Sequence, residues 1–145
     1  MVDGAGHKLE GAGGTVSKGM LLSGRSNVTI KNMEIRKFGT GIDLVDSSSN
    51  INISDNNMTN NLYGVWSVWS LNVSVSRNDI ANNSNGVFLY YSFNNDISRN
   101  NIMANSDLGI FLDSSHNNFT MCGLVVWDSY ENAVESNLVN GKPLV

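Results

Sequence analysis

A chain of 145 residues with no shift in composition along its length is sized for one domain. Only 15% of its residues are charged, and a net charge of -4 with a pI near 4.9 leaves no basic field to hold nucleic acid or an anionic membrane surface. A single cysteine, Cys122, excludes an internal disulfide, and no apolar run reaches the ~20 residues of a membrane span.

The opening, MVDGAGHKLEGAGG, lies within a lead-in coil over residues 1–18 and lacks the basic and apolar segments of a signal peptide. It suits either a cytosolic chain or a piece excised from a longer secreted precursor. From residue 19 a repeat takes over. Gly19, Gly41, Gly64, Gly86 and Gly109 recur at intervals of 22, 23, 22 and 23 residues and open the similar stretches GMLL, GIDL, GVWS, GVFL and GIFL. A second apolar patch follows in each copy: NVTIKNMEI, NINISDNNM, NVSVSRNDI, NNDISRNNI and a weakened NNFTMCGLV. Apolar and polar residues alternate within the patches, as at Val28-Thr29-Ile30, which is the period of short strands. No helical stripe competes. A unit of about 22 residues, with two or three strands between Asn/Ser/Gly corners, predicts an all-β fold: a right-handed single-stranded parallel β-helix, its hand following the crossover rule. Regular repeats span 19–120, and 121–145 is a degraded repeat or cap in which Trp127 and Tyr130 could cover the core. We expect a single domain over 1–145 that is a fragment of a longer protein.

Stacked coils bring equivalent residues about 4.8 Å apart, so columns can be written directly. The interior columns are Met20, Ile42, Val65, Val87, Ile110; Leu22, Leu44, Ser67, Leu89, Leu112; Ile30, Ile53, Val75, Ile97; and Ile35, Met58, Ile80, Ile102, Val125. Asparagines align as well: Asn27, Asn50, Asn72, Asn94 and Asn117 in an interior corner column, Asn56, Asn78 and Asn100 in a second, Asn61, Asn83 and Asn105 in a third. Asparagine tolerates a left-handed corner, and stacked amides bond to their copies, so these residues read as structural.

Units such as GIDLVDSSSNINISDNNMTNN and GVFLYYSFNNDISRNNIMANS resemble the repeats of NosD-like proteins and of carbohydrate-binding and sugar-hydrolase β-helix domains. The similarity runs from about Gly19 to Val125. VDGAGHKLEG resembles the usual lead-in to such repeats, and ESNLVNGKPLV a segment that follows them in archaeal and bacterial surface proteins. The resemblance implies a protein that is extracellular, on the cell surface or periplasmic. Its NosD branch implies a periplasmic accessory role in copper-site maturation, which needs ordered His, Cys or Met ligands. His7 and His116 lie several coils apart; only His116, Met121 and Cys122 are close in sequence, and Met121 and Cys122 stand where other copies carry strand residues. No metal site and no cofactor are expected.

Polysaccharide lyases and hydrolases on such a scaffold need clustered carboxylates on an outer face. The outward positions of the second strand read Asn32 and Glu34, Asp55 and Asn57, Arg77 and Asp79, Arg99 and Asn101. Asp55, Arg77, Asp79 and Arg99, with Asp96 just before, form the densest charged patch and the catalytic candidate. Opposite charges on neighbouring coils also read as exposed ion pairs, and directly stacked acids are absent. Asp43 with Asp46, joined by the distant Asp113, makes a sparser acidic site. Two residues after the repeat glycine the copies read Asp43, Trp66, Phe88 and Phe111, with Trp69, Tyr90 and Tyr91 a little further on. This outward aromatic ladder suits sugar faces or burial beneath another segment or subunit. Six sequons, beginning at Asn27, Asn52, Asn57, Asn72, Asn82 and Asn118, are also present.

These features favour a non-catalytic surface module that contacts a glycan or a protein through Trp66, Trp69, Phe88, Tyr90, Tyr91 and Phe111, with protein contact also open to the solenoid ends. A polysaccharide lyase or hydrolase using the charged patch is the alternative, and a copper-handling accessory protein the second. Nucleic acid is not an expected partner.

Overall fold

A computed structural model describes residues 1–113 and, beyond them, the backbone of four short strands. Three strands make each coil. The first coil contains β1 (Val2–Asp3), β2 (Lys8–Glu10) and β3 (Lys18–Ser23), and the second β4 (Ser26–Lys31), β5 (Glu34–Arg36) and β6 (Thr40–Val45). The third contains β7 (Ser49–Ser54), β8 (Asn57–Thr59) and β9 (Tyr63–Val68), and the fourth β10 (Leu71–Ser76), β11 (Asp79–Ala81) and β12 (Asn85–Tyr90). In the fifth are β13 (Asn95–Ser98), β14 (Asn101–Met103) and β15 (Leu108–Asp113), followed by β16 (Asn117–Phe119), β17 (Leu124–Trp127), β18 (Leu138–Val139) and β19 (Lys142–Pro143).

Equivalent strands stack into three sheets, in the orders β1-β4-β7-β10-β13-β16 (sheet A), β2-β5-β8-β11-β14-β18-β19 (sheet B) and β3-β6-β9-β12-β15-β17 (sheet C). Among the described strands all pairings are parallel except that of β18 with β19. The lead-in is therefore a stacked coil in its own right, with β1, β2 and β3 on β4, β5 and β6.

Alternation determines what fills the middle, because every second side chain of each strand points inward. Met20, Ile42, Val65, Val87 and Ile110 lie in register, as do Ile30, Ile53, Val75 and Ile97. Ile35, Met58, Ile80 and Ile102 follow suit, and nearly all of these side chains are sealed from water. Each sealed aliphatic side chain contributes about 1.5–3 kcal/mol of burial free energy. Val28, Ile51 and Val73 add a column that the repeat text does not advertise.

Three expectations need correction. Val125 does not continue the Ile35 column: β17 pairs with β15 in sheet C, opposite Phe111, and Val139 stands beside Ile102 instead. Asn117 is in register with Asn95 rather than Asn94. The column Asn27, Asn50, Asn72, Asn94 has the expected left-handed backbone, φ 53 to 57°, yet it is exposed and not interior. Its amides point away from the core because the inward position beside it belongs to Val28, Ile51, Val73 and Asn95.

The other two asparagine columns are internal. Asn56 and Asn78 each donate an Nδ2–H to the next amide oxygen up, Asn78 and Asn100, at 3.0 Å, and to the carbonyls of Ile30 and Ile53. Asn61 and Asn83 do the same toward Asn83 and Asn105. Backbone N–H groups of Met33 and Phe38 extend the ladders into the second coil. A buried corner carbonyl left unpaired would cost about 1–3 kcal/mol, so each amide replaces water that cannot reach it.

Carboxylates tie the first coil to the second. Glu10 accepts from Lys37 at 2.7 Å, Lys8 at 2.8 Å and Arg36 at 3.1 Å, which lowers its pKa from 4.5 to about 2. Asp3 accepts from Asn32 and the Ala5 N–H, both at 3.0 Å, and from Lys31 at 3.1 Å, and it too falls to about 2. Both folded pKa values lie below the unfolded ones, so their contribution is complete above about pH 4.5 and is lost as pH descends toward 2. Hydrogen exchange during acid titration is expected to show the first coil opening before β10 and β11, with Glu10→Gln removing much of that pH dependence.

Candidate functional site

The charged patch sits at a corner. Asp55, Arg77 and Arg99 have φ of 57, 56 and 58° and turn the chain from sheet A to sheet B, in one column with Asn32 at 55°. They are not strand residues, which corrects the sequence expectation. Only Asp79 is on a strand face, in register with Glu34, Asn57 and Asn101. The error arose because a left-handed residue interrupts the two-residue period, so side chains on either side of it share a direction without sharing a strand.

Arg77 grips Asp55 with two bonds, Nε to Oδ1 at 2.8 Å and Nη2 to Oδ2 at 3.0 Å. These hydrogen bonds hold the Asp55 carboxyl below its ordinary value and raise the Arg77 guanidinium. Asp79 Oδ1 accepts from Asn101 at 3.0 Å. Asp55, Arg77 and Asp79, with Glu34, Asn57 and the Ala5–Gly6 turn, line a groove of about 560 Å³. Arg99 continues the corner column one coil further and does not line that groove. Asp96, on the outer face of sheet A, accepts from Ser98 at 3.2 Å.

The chemistry available there is limited. Asp55 is an ionised carboxylate already neutralised by a bidentate guanidinium, a poor proton donor at neutral pH. Asn57 separates Glu34 from Asp79, so no two acids stand on adjacent coils of that column. The sparser acidic site divides: Asp43 is 3% exposed on sheet C and paired with Lys18, whereas Asp46 is at the next corner and accepts from Ser23.

The aromatic residues form two zones. Trp66, Phe88 and Phe111 occupy one outward column of sheet C in register with Asp43. Trp66 and Phe88 stack at 4.3 Å with 2° between planes, and Phe88 and Phe111 at 4.2 Å with 10°. Tyr63 leans edge-on against Trp66 and Phe88. Both faces of Phe88 are therefore taken by its neighbours, and the middle of this column offers solvent a ring edge.

The second zone is the corner after sheet C. Trp69 and Tyr91 have φ of 54 and 45°, a conformation that Gly24 takes in the first coil without strain. A bulky residue there costs roughly 1–2 kcal/mol. Trp69 is nevertheless 63% exposed, and Tyr91, Leu71 and Phe93 are 42%, 41% and 36% exposed. Trp69 and Tyr91 meet at 86° with centroids 6.3 Å apart, and Tyr90 lies against Tyr91 at 77°. Edge contacts leave ring faces uncovered. Trp69, Leu71, Tyr91 and Phe93, with Ser47, Ser49 and Ser70, line a groove of about 520 Å³ without a charged side chain.

Leu71 and Phe93 were not among the sequence candidates, although the register of Ser49, Leu71 and Phe93 at the start of successive coils could have indicated them. Buried serines one position after the corner were also missed. Ser70 N–H donates to Ser92 Oγ at 3.2 Å, and Ser92 Oγ lies 3.1 Å from the Tyr90 carbonyl. Ser48 makes the equivalent bonds to Leu22 and Val45 one coil earlier.

Among the described residues no three His, Cys, Asp or Glu side chains gather as a metal site. His7 is exposed in the first coil, and His116, Met121 and Cys122 lie outside the described residues. No described helix is long and apolar enough to cross a membrane. A family model described as a right-handed beta helix region matches residues 7–141, in agreement with the stacked parallel sheets. No curated protein and no solved structure matches the chain.

Proposed function

Because the chain belongs to the right-handed β-helix family, whose coils repeat a surface at fixed spacing, we propose that it is a non-catalytic contact module that works outside the cytoplasm. Its ligand is a neutral, hydroxyl-rich polysaccharide, held at the Trp69–Tyr91 corner. The observation that carries this reading is Trp69: a large ring, 63% exposed, held in a left-handed corner where glycine serves elsewhere. Uncovered ring faces suit the apolar faces of sugars, and Ser47 and Ser49 supply hydroxyls at the rim. The lack of charged lining favours neutral sugars over uronans. Tyr90 lies against Tyr91 at the corner, and Trp66, Phe88 and Phe111 form the separate stacked column of sheet C.

Electrophoresis through gels containing neutral or acidic polysaccharides tests the assignment. Trp69→Ala is expected to abolish retardation by a neutral polymer, at least a tenfold loss in affinity, with the melting temperature little changed, because the exposed ring makes only an edge contact with Tyr91 and alanine keeps the Cβ that the left-handed corner opposes. Retardation unchanged by Trp69→Ala and Tyr91→Ala together would remove the site. The groove at Asp55, Arg77 and Asp79 supports a second reading, a polysaccharide lyase or hydrolase. Release of reducing ends or unsaturated products that vanishes with Arg77→Ala and Asp79→Asn would favour it.

A further inference from the structure

The sequons acquire a pattern once the coils are in place. Five of their asparagines, Asn27, Asn52, Asn57, Asn72 and Asn82, are within residues 1–113, and all five are exposed. None of the seven asparagines buried in the corners and core, Asn56, Asn61, Asn78, Asn83, Asn85, Asn95 and Asn100, is the acceptor position of a sequon. The buried asparagines are followed two residues later by a core side chain, Met58, Ile80, Val87, Ile97 or Ile102, or by the strand residues Tyr63 and Asn85, whereas each of the five exposed ones is followed by Ser or Thr.

Their distribution around the solenoid is uneven. Asn27, Asn52 and Asn72 are on sheet A, Asn57 is on sheet B, and Asn82 is at the corner that follows sheet B. None is on a strand of sheet C, the sheet that carries Trp66 and Phe88. Thr29, Thr59, Ser74 and Ser84, the hydroxyl residues of four sequons, are half-buried, whereas Ser54, which serves Asn52, is 3% exposed. Asn72 also donates to Asn50 Oδ1 at 3.1 Å, and an amide nitrogen carrying one sugar still keeps one hydrogen for that bond.

We propose that Asn27, Asn57, Asn72 and Asn82 are N-glycosylation sites, and that the attached sugars clothe sheets A and B and leave sheet C bare. The donor class is an oligosaccharide linked to a polyisoprenyl diphosphate. The asparagine Nδ2 forms a bond to the anomeric carbon, the bond from that carbon to the diphosphate oxygen breaks, the lipid diphosphate leaves with the electron pair, and one amide proton passes to a base on the transferase. A sugar on Asn57 stands at the mouth of the groove beside Asp55, Arg77 and Asp79 and screens it. Sheet C is thereby left open, and the sugar on Asn72 borders the corner groove at Leu71. The inference rests on the extracytoplasmic part of the proposed function.

Glycopeptide mass spectrometry of the protein recovered from its own cells, after fractionation, tests it. The expected result is hexose-containing mass additions localised by fragmentation to Asn27, Asn57, Asn72 and Asn82, and none on Asn85 of β12. Thr29→Ala and Thr59→Ala, which keep the asparagine, each remove one glycan and leave the fold's melting temperature within a few degrees. Unmodified asparagine at all four sites in protein found outside the cytoplasm overturns the modification and leaves the binding module standing. Unmodified protein found in the cytosol overturns both.

Discussion

Asn78→Ala is expected to destabilise the protein by about 4 kcal/mol, because one truncation orphans several buried groups at once. Asn78 Oδ1 accepts from both Asn56 N–H and Asn56 Nδ2, and its own amide serves the Ile53 carbonyl at 2.9 Å and Asn100 Oδ1 at 3.0 Å. Removal leaves a backbone donor and a backbone acceptor dry and breaks the ladder in its middle. A fall in melting temperature on the order of 10 °C or more follows for a chain of this size. Asn50→Gly provides the contrast. Asn50 is exposed, its left-handed φ of 53° suits glycine, and its amide loses only the bond from Asn72. Denaturant melts should place that variant within about 0.5 kcal/mol of the parent. Equal effects from the two substitutions would show that the internal ladder is not a principal support.

Gly64→Ala is expected to cost about 2–3 kcal/mol for the opposite reason, an atom too many. A Cβ there would stand 2.7 Å from the Gly86 carbonyl oxygen and 2.9 Å from Ile80 Cγ2. Backbone on the next coil cannot move aside without opening the spacing between coils. The same approach recurs at Gly41 and Gly86, so the repeat glycine is there to let one coil lie close on the next. Gly6→Ala separates this effect from backbone strain, since nothing lies within 4 Å and only its φ of +81° opposes alanine. Chemical unfolding should show the smaller loss for Gly6→Ala, about 1 kcal/mol.

The period was legible because stacking makes each coil solve one packing problem repeatedly. Four aliphatic columns and two amide ladders follow from counting 22 or 23 residues from a glycine. Counting absorbed the extra corner residue Ser47 and failed only beyond Asp113, where the repeat text weakens and Val125 and Asn117 were assigned to the wrong partners. Left-handed residues were the other obstacle. Asp55, Arg77 and Arg99 read as strand positions until their φ values were known, and Trp69 read as a continuation of the ladder. Leu71 and Phe93 escaped because the left-handed asparagine after each, Asn72 or Asn94, breaks the alternation with Val73 or Asn95. The internal serines escaped for a different reason: a hydroxyl that bonds to a carbonyl one coil away leaves no local mark in sequence.

Those serines also set the thermodynamic character of anything that binds beside them. Ser70 and Ser92 pin the backbone next to Trp69 and Tyr91 from the inside, through bonds buried beneath the corner. The two rings are thus held in place before a ligand arrives, and association need not freeze a loop. Calorimetry on such a rigid corner should return a small entropic penalty, and structures with and without the ligand should superimpose there to within thermal motion.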